Sequence, residues 1–134
     1  MRVLLIDDDR TSAHAMAMAC FEHGIAIRIA ETLCEGVRYM LDDGPISAVL
    51  IDASLMRLSG TDQLRLFETV APGVPVVVMA QAGAALEVAK YRGRGFHAVS
   101  RPVDILEVLA TLDLSTRALA PHPAAPAEVE TLCR

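Results

Sequence analysis

The chain has few of the residues that several common kinds of site require. It contains no tryptophan, three phenylalanines and two tyrosines, so it lacks the aromatic residues for a platform on which bases could stack. Its three cysteines, at positions 20, 34 and 133, form no Cys-x-x-Cys pair. An odd number of unclustered cysteines indicates free thiols rather than disulfides or a zinc framework, and we expect Cys20 to be a buried apolar residue.

Positive charge and long apolar runs are also scarce. Seventeen acidic residues outnumber twelve basic ones, and the basic residues are scattered. This pattern gives no electrostatic footprint for nucleic acid. No apolar run approaches the roughly 18 residues of a membrane span, and the N-terminus does not resemble a signal peptide. We therefore expect a cytoplasmic domain that binds neither nucleic acid nor membrane. The four histidines lack metal-ligand spacing, and no glycine-rich nucleotide loop follows the first apolar run.

Short apolar runs alternate regularly with stretches of helical periodicity. Nearly continuous runs of this length are typical of parallel strands that are buried on both faces. Strands are predicted at residues 3–6, 26–30, 48–51, 74–79 and 98–100. Helices are predicted at residues 11–23, 33–41, 61–70, 84–92 and 103–116. Such alternation predicts an α/β fold with an open, doubly wound parallel sheet of order 2-1-3-4-5, flanked by five helices.

Local signals agree with these boundaries. Asp9 can cap the first helix, Thr32 and Glu35 form a capping-box pattern, and Gly24 and Gly44 lie where helices should end. From about residue 118 the composition becomes rich in proline and alanine. We therefore predict one domain over residues 1–117 and a tail or linker over residues 118–134.

Carboxylates follow two of the predicted strands. Asp7 and Asp8 end the first strand and Asp52 ends the third. Ligands of doubly wound sheets bind beyond the carboxyl ends of the strands, so these three side chains should converge. Because three adjacent anions repel one another, the pattern predicts a divalent cation, with the backbone carbonyl of Ser54 as a further ligand. Asp9 is interpreted as a helix cap.

The order of these motifs resembles the receiver domains of bacterial response regulators, over residues 1–117. The resemblance rests on Asp7-Asp8-Asp9, on Asp52 with Gly60 eight positions later, on the Val-Pro-Val-Val-Val run at residues 74–78, and on Gly95 leading to Arg101-Pro102. It implies a flavodoxin-like signalling domain that is not itself an enzyme. Asp52 would accept a phosphoryl group from a histidine kinase or phosphotransfer protein, with Mg²⁺ or Mn²⁺ bound by Asp8 directly and by Asp7 through water or orientation.

Several positions depart from the receiver pattern. The hydroxyl residue expected at the end of the fourth strand is Ala80, and the aromatic residue expected on the fifth strand is Ala98. Arg101 stands where receivers carry a lysine that contacts the phosphoryl group, and it keeps the charge with a different donor geometry. Met56 replaces a common proline. The resemblance further implies a cis peptide bond before Pro102.

Two hypotheses from different classes follow. The first is a phosphorylation-dependent receiver with a non-standard switch, which the carboxylates favour. The second is a pseudo-receiver that acts only as a protein-interaction module, which Ala80 and Ala98 favour. In either case the face from the fourth to the fifth helix, where Tyr91, Arg92 and Arg94 lie near a small-residue stretch at 82–85, is a candidate surface for an output protein or for self-association.

Overall fold

The computed structural model describes residues 1–42, 44–56 and 60–112, with the side chains of residues 60–62 and 64 excepted. The predicted tail at residues 118–134 and the end of the fifth predicted helix lie outside this range. The elements follow one another in the order β1 (Arg2–Ile6), α1 (Arg10–Phe21), β2 (Ala26–Ala30), α2 (Leu33–Asp42), β3 (Ala48–Asp52), the 3₁₀ turn η1 (Ala53–Leu55), α3 (Gly60–Val70), β4 (Val76–Ala80), α4 (Ala85–Gly93), β5 (His97–Ser100) and α5 (Ile105–Thr111).

All neighbouring strands pair in parallel, in the order β2-β1-β3-β4-β5. The predicted fold class and strand order are therefore confirmed. In the register, Ile6 pairs with Ile51, Asp52 with Met79, and Ala80 with Ser100. The carboxyl ends of β1, β3, β4 and β5 consequently meet at one edge of the sheet, where the predicted site residues lie.

The sheet separates two layers of buried side chains. Alternate residues of each strand face opposite sides, so Leu4 and Ile51 belong to one apolar cluster while Leu5 and Leu50 belong to the other. Residues of α2, α3 and α4 cover the first side, and residues of α1 and α5 cover the second. Burying each such side chain stabilises the fold by about 1.5–3 kcal/mol relative to an exposed one.

Glycine allows α2 to approach the sheet closely. A Cβ atom on Gly36 would lie 2.5 Å from Cδ1 of Ile6, inside any normal contact distance. A side chain at this position would clash with the buried Ile6 side chain unless Ile6 or α2 moved. Gly36 therefore permits the close packing of α2 against β1.

The helices begin at aspartates more often than the sequence interpretation recognised. Asp9 accepts a hydrogen bond from the Ser12 N–H and caps α1, as predicted. The fifth helix begins at Ile105 and not at residue 103, because Asp104 accepts hydrogen bonds from the N–H groups of Leu106 and Glu107. The prediction that this helix begins at residue 103 was wrong by two residues.

One free edge of the sheet is covered by a side chain. β5 pairs only with β4 in the described part of the chain, so its outer edge has no strand neighbour there. The guanidinium of Arg92 donates two hydrogen bonds, of 3.1 and 2.9 Å, to the carbonyl oxygen of Ala98 on β5.

Cys20 is a buried free thiol, as expected, and burial raises its pKa. No helix within the described residues has the length and apolarity to cross a membrane.

Candidate functional site

Asp7 is a fully buried carboxylate at the end of β1. Its backbone N–H donates to the carbonyl of Ala30, which continues the strand pairing for one more residue. Its side chain is 0% exposed. Oδ1 accepts the N–H of Asp9 at 3.0 Å, and Oδ2 accepts a guanidinium N–H of Arg101 at 2.9 Å. Both oxygens therefore have donors, which offsets the cost of burying the charge.

Asp52 ends β3 and caps the turn that follows it. Oδ1 accepts the N–H of Ser54 at 2.8 Å, and Oδ2 accepts Nη2 of Arg101 at 2.8 Å. Burial alone raises the pKa of Asp52, but the hydrogen bonds from Ser54 and Arg101 outweigh burial and bring the pKa below its usual value. With 20% of its side chain exposed, Asp52 is an ionised carboxylate that solvent can reach.

Arg101 joins the ends of four elements. Its backbone N–H donates to the carbonyl of Ala80 at the end of β4. Nη2 contacts both Asp7 and Asp52, and Nη1 donates to Oγ of Ser12 in α1 at 3.1 Å. Burial lowers the pKa of Arg101, yet the hydrogen bonds and charges of Asp52 and Asp7 raise it overall, so the guanidinium stays charged. The Arg101–Pro102 peptide bond is cis.

The other two predicted metal ligands are exposed. Asp8 makes no hydrogen bond or ion pair with the residues that the structure describes, and Ser54 is exposed at the start of the turn after β3. No group of three or more His, Cys, Asp or Glu side chains within the described range is arranged to hold a metal ion. The oxygen donors suit a hard cation in chemistry, but the cation that links Asp7 to Asp52 in this structure is the guanidinium of Arg101.

Ala80 and Ala98, which are interpreted from the sequence as departures from the receiver pattern, both lie in the apolar core. Ala80 is 0% exposed and Ala98 is 2% exposed, and both belong to the cluster on the α2–α4 side of the sheet. Ala80 offers no hydroxyl beside the carboxylates, and Ala98 has no ring that could move between two positions. Met56, the third departure, is partly buried against the same cluster.

Ser12 is the site residue that the sequence interpretation missed. It lies in the first turn of α1, fixed there by the hydrogen bond from its N–H to Asp9, and its hydroxyl meets Arg101 across 89 positions of sequence. Only its place one turn beyond Asp7 could have suggested this contact, because no motif identifies a serine as the partner of a distant arginine.

Solved structures share this architecture. A response regulator receiver domain protein from Clostridium thermocellum matches with a TM-score of 0.70 and 23% identity, over 87% of this chain and 94% of that chain. The receiver domain of a Francisella response regulator matches with a TM-score of 0.68 and 21% identity, over 87% and 97% of the two chains. The chain has the receiver fold. The resemblance deduced from the order of its motifs is therefore confirmed.

Two further matches extend the comparison with receivers. A Burkholderia pseudomallei response regulator, solved with a phosphorylated aspartic acid, a calcium ion and citrate, matches with a TM-score of 0.69 and 19% identity, over 87% of this chain and 69% of that one. Among curated proteins, response regulator MprA of Mycobacterium leprae is 25% identical over 126 residues, which is 93% of this chain and 55% of MprA. The chain thus spans about half of that relative. No family model matches it.

Proposed function

We propose that this chain is a phosphorelay receiver that accepts a phosphoryl group on Asp52 from a histidine kinase or phosphotransfer protein in the cytoplasm. It would act as a signalling domain and not as an enzyme. The observation that carries the proposal is the state of Asp52 in a receiver fold. This carboxylate ends the central strand β3, is partly exposed, has a lowered pKa and lies beside a fixed guanidinium.

The proposed transfer needs a nucleophile and a place for negative charge. A carboxylate oxygen of Asp52 attacks the phosphorus of a phosphohistidine, so that a P–O bond forms while the P–N bond breaks. The imidazole leaves and takes up a proton. The lowered pKa of Asp52 keeps the attacking oxygen ionised at neutral pH. Arg101, which already donates to Asp52 at 2.8 Å, can move its donors to the phosphoryl oxygens.

A divalent cation belongs to this proposal. Asp8, Asp52 and the carbonyl of Ser54 would hold Mg²⁺ or Mn²⁺ directly, and Asp7 would act through water or by orienting the other groups. When bound, the cation neutralises charge that develops on the transferring oxygens. A regulator with this fold has been solved with a phosphorylated aspartate and a calcium ion, which supports combining the two here.

The test is incubation of the protein with Mg²⁺ and a small acyl phosphate, or with beryllium fluoride, followed by intact-mass measurement and amide NMR. We expect one phosphoryl group per chain, no adduct with Asp52→Asn, and an unchanged adduct with Asp42→Asn, which alters an exposed aspartate on α2. Amide shifts should centre on Ala80 and Arg101. No adduct and no Mg²⁺-dependent shift would contradict the phosphoacceptor role.

A pseudo-receiver is the second candidate, and the buried alanines favour it. With Ala80 and Ala98 in the core, neither of the usual moving groups is available to transmit phosphorylation. Such a domain would bind its partner in one fixed conformation. Beryllium fluoride that leaves both the NMR spectrum and partner binding unchanged would support this function over the first.

For output, we propose the face from α4 to α5. Leu86 on α4 is 89% exposed, and a cavity of about 410 Å³ lies along β5 and α5, lined in part by Val99, Val103 and Val108. The sequence places Tyr91 near this surface, but Tyr91 is buried against Phe96 and does not contribute to it. An output protein or a second copy of the chain could use the face. Leu86→Asn should weaken that association in light-scattering or pull-down measurements.

A further inference from the structure

The guanidinium of Arg101 contacts both Asp7 and Asp52, two of the carboxylates in the proposed metal site. Nη2 lies 2.9 Å from Oδ2 of Asp7 and 2.8 Å from Oδ2 of Asp52. Nη1 lies 3.1 Å from Oγ of Ser12. One side chain from the end of β5 thus links β1, β3 and α1. Of the described acidic side chains, Asp7 alone is fully buried, and it depends on this link for its counter-charge.

The positive charge of Arg101 should compete with a divalent metal ion for the carboxylates at this site. Asp7, Asp8 and Asp52 bring three negative charges to the strand ends, and Arg101 returns one positive charge. A magnesium ion binds oxygen at about 2.1 Å and prefers octahedral geometry. With Nη2 2.8 Å from Oδ2 of Asp52, a divalent cation on the same carboxylate would lie close to the guanidinium, and the two positive charges would repel each other in a partly buried place. Movement of the guanidinium away from Asp52 should therefore favour metal binding.

We infer that Arg101 is a built-in counter-cation that competes with the divalent cation for Asp52 and Asp7, and that Ser12 is a positioning residue that holds it there. The inference rests on the proposed function, since it concerns the metal ion that phosphotransfer would need. Under this inference, the need to displace Arg101 lowers the affinity of the site for the metal ion. The site is closed by its own arginine when the cation is scarce, and it opens for phosphotransfer when the cation is abundant.

Ser12 is suited to this role because the helix fixes its position. Its N–H is bound by the Asp9 cap, so the serine is held in the first turn of α1 and its hydroxyl can accept from Nη1 without reorganisation. Nη1 is thereby directed away from the carboxylates, and Nη2 is left to bridge them. A lysine at position 101 carries its three donors on one nitrogen, so it lacks the fork that lets Nη1 contact the serine while Nη2 contacts both carboxylates.

The test is Mg²⁺ titration of the intact chain by calorimetry. We expect Arg101→Met to bind Mg²⁺ about tenfold more tightly than the wild type, because one nearby positive charge and its competition are removed. Arg101→Lys should fall between the two. Ser12→Ala should tighten binding about two- to threefold through a looser arginine, and Ser12→Thr, which keeps the hydroxyl, should behave as the wild type.

A charge-matched control is Arg38→Met, which removes one positive charge from an exposed position on α2. It should leave the Mg²⁺ affinity unchanged. A readout without metal is the Nη resonance of Arg101 in arginine-labelled protein, which should broaden or shift in Ser12→Ala and return with Ser12→Thr. Equal Mg²⁺ affinities for the wild type and Arg101→Met, or no binding by either, would overturn the inference.

The result of the Mg²⁺ titration can be distinguished from the result of the phosphoacceptor test. If the wild type forms the Asp52 adduct but Arg101→Met binds Mg²⁺ no more tightly, the competition is wrong and the proposed function stands. If no adduct forms while Arg101→Met still gains Mg²⁺ affinity, the arginine has the inferred role in a domain that does not accept phosphate.

Discussion

Two buried polar side chains, Asp7 and Gln63, differ in how their hydrogen-bonding groups are satisfied. Asp7, at the end of β1, is 0% exposed and both of its oxygens accept hydrogen bonds. Gln63, on α3, is 1% exposed, yet neither atom of its amide has a hydrogen-bond partner among the described residues. The difference shows that burial alone does not make a site. The region around Asp7 is a network of charges whose hydrogen bonds are satisfied, whereas the buried amide of Gln63 has no partner within the part of the chain that the structure describes.

The largest expected effect comes from breaking the network. Arg101→Met leaves the buried carboxylate of Asp7 without its counter-charge, so metal-free stability should fall by about 3 kcal/mol. Urea unfolding with EDTA present measures this change. The double variant Asp7→Asn/Arg101→Met removes both charges and should recover part of the loss. A single variant as stable as the wild type would show that Asp7 does not depend on Arg101.

A smaller effect should follow from adding a third buried polar group. Ala80 is 0% exposed in the core, so Ala80→Thr and Ala80→Val introduce nearly the same volume, and both should destabilise the fold through overpacking. The threonine adds a hydroxyl, which should cost about a further 1–2 kcal/mol if it finds no partner. Thermal unfolding of the pair isolates that term. Equal stabilities would mean that the strand end offers the hydroxyl a partner.

Replacing the amide of Gln63, which has no partner among the described residues, should increase stability instead of decreasing it. Gln63→Leu exchanges a buried polar group for an apolar one of similar size, which should stabilise the domain by about 1 kcal/mol. Chemical denaturation measures the gain. Gln81→Leu, at an exposed position after β4, serves as the control and should change stability little. If Gln63→Leu is less stable than the wild type, the amide of Gln63 must form a hydrogen bond outside the described residues.

The smallest effect concerns pH. Because the folded-state pKa of Asp52 lies below its unfolded value of about 3.9, ionised Asp52 stabilises the fold above that pH. The contribution is lost as pH falls through the lower, folded-state pKa. The stability advantage of the wild type over Asp52→Asn should therefore shrink on acidification below about pH 4. A carboxyl ¹³C titration would detect the lowered pKa directly, and a midpoint at or above the usual value would contradict it.

Much of the fold and part of the site could be predicted from the sequence. Strand order followed from alternating apolar runs, and the meeting of Asp7 with Asp52 followed from the rule that ligands bind at strand ends. The bonds from Arg101 to Asp7 and Ser12 could not be predicted, because side-chain torsions chosen by packing bring together residues 94 and 89 positions apart. The contrast between buried Asp7 and exposed Asp8 was equally hidden, since both follow the same strand.

Some missed features did have signals in the sequence. Asp104 precedes an apolar run and has Glu107 three positions later, which is a capping pattern. Gln63 lies three, four and seven positions before Leu66, Phe67 and Val70, which are all buried. Helical periodicity therefore places its amide on the apolar stripe of α3.

The arginine that covers β5 has a consequence for how copies of this domain meet. A bare edge strand presents a row of backbone groups to which any extended segment can add, and this is a common route to aggregation. Arg92 places its charged guanidinium on the Ala98 carbonyl, so an incoming strand would have to displace two hydrogen bonds and bury a positive charge. The protection of this edge against strand addition therefore comes from a side chain of α4 and not from the residues around Asp52.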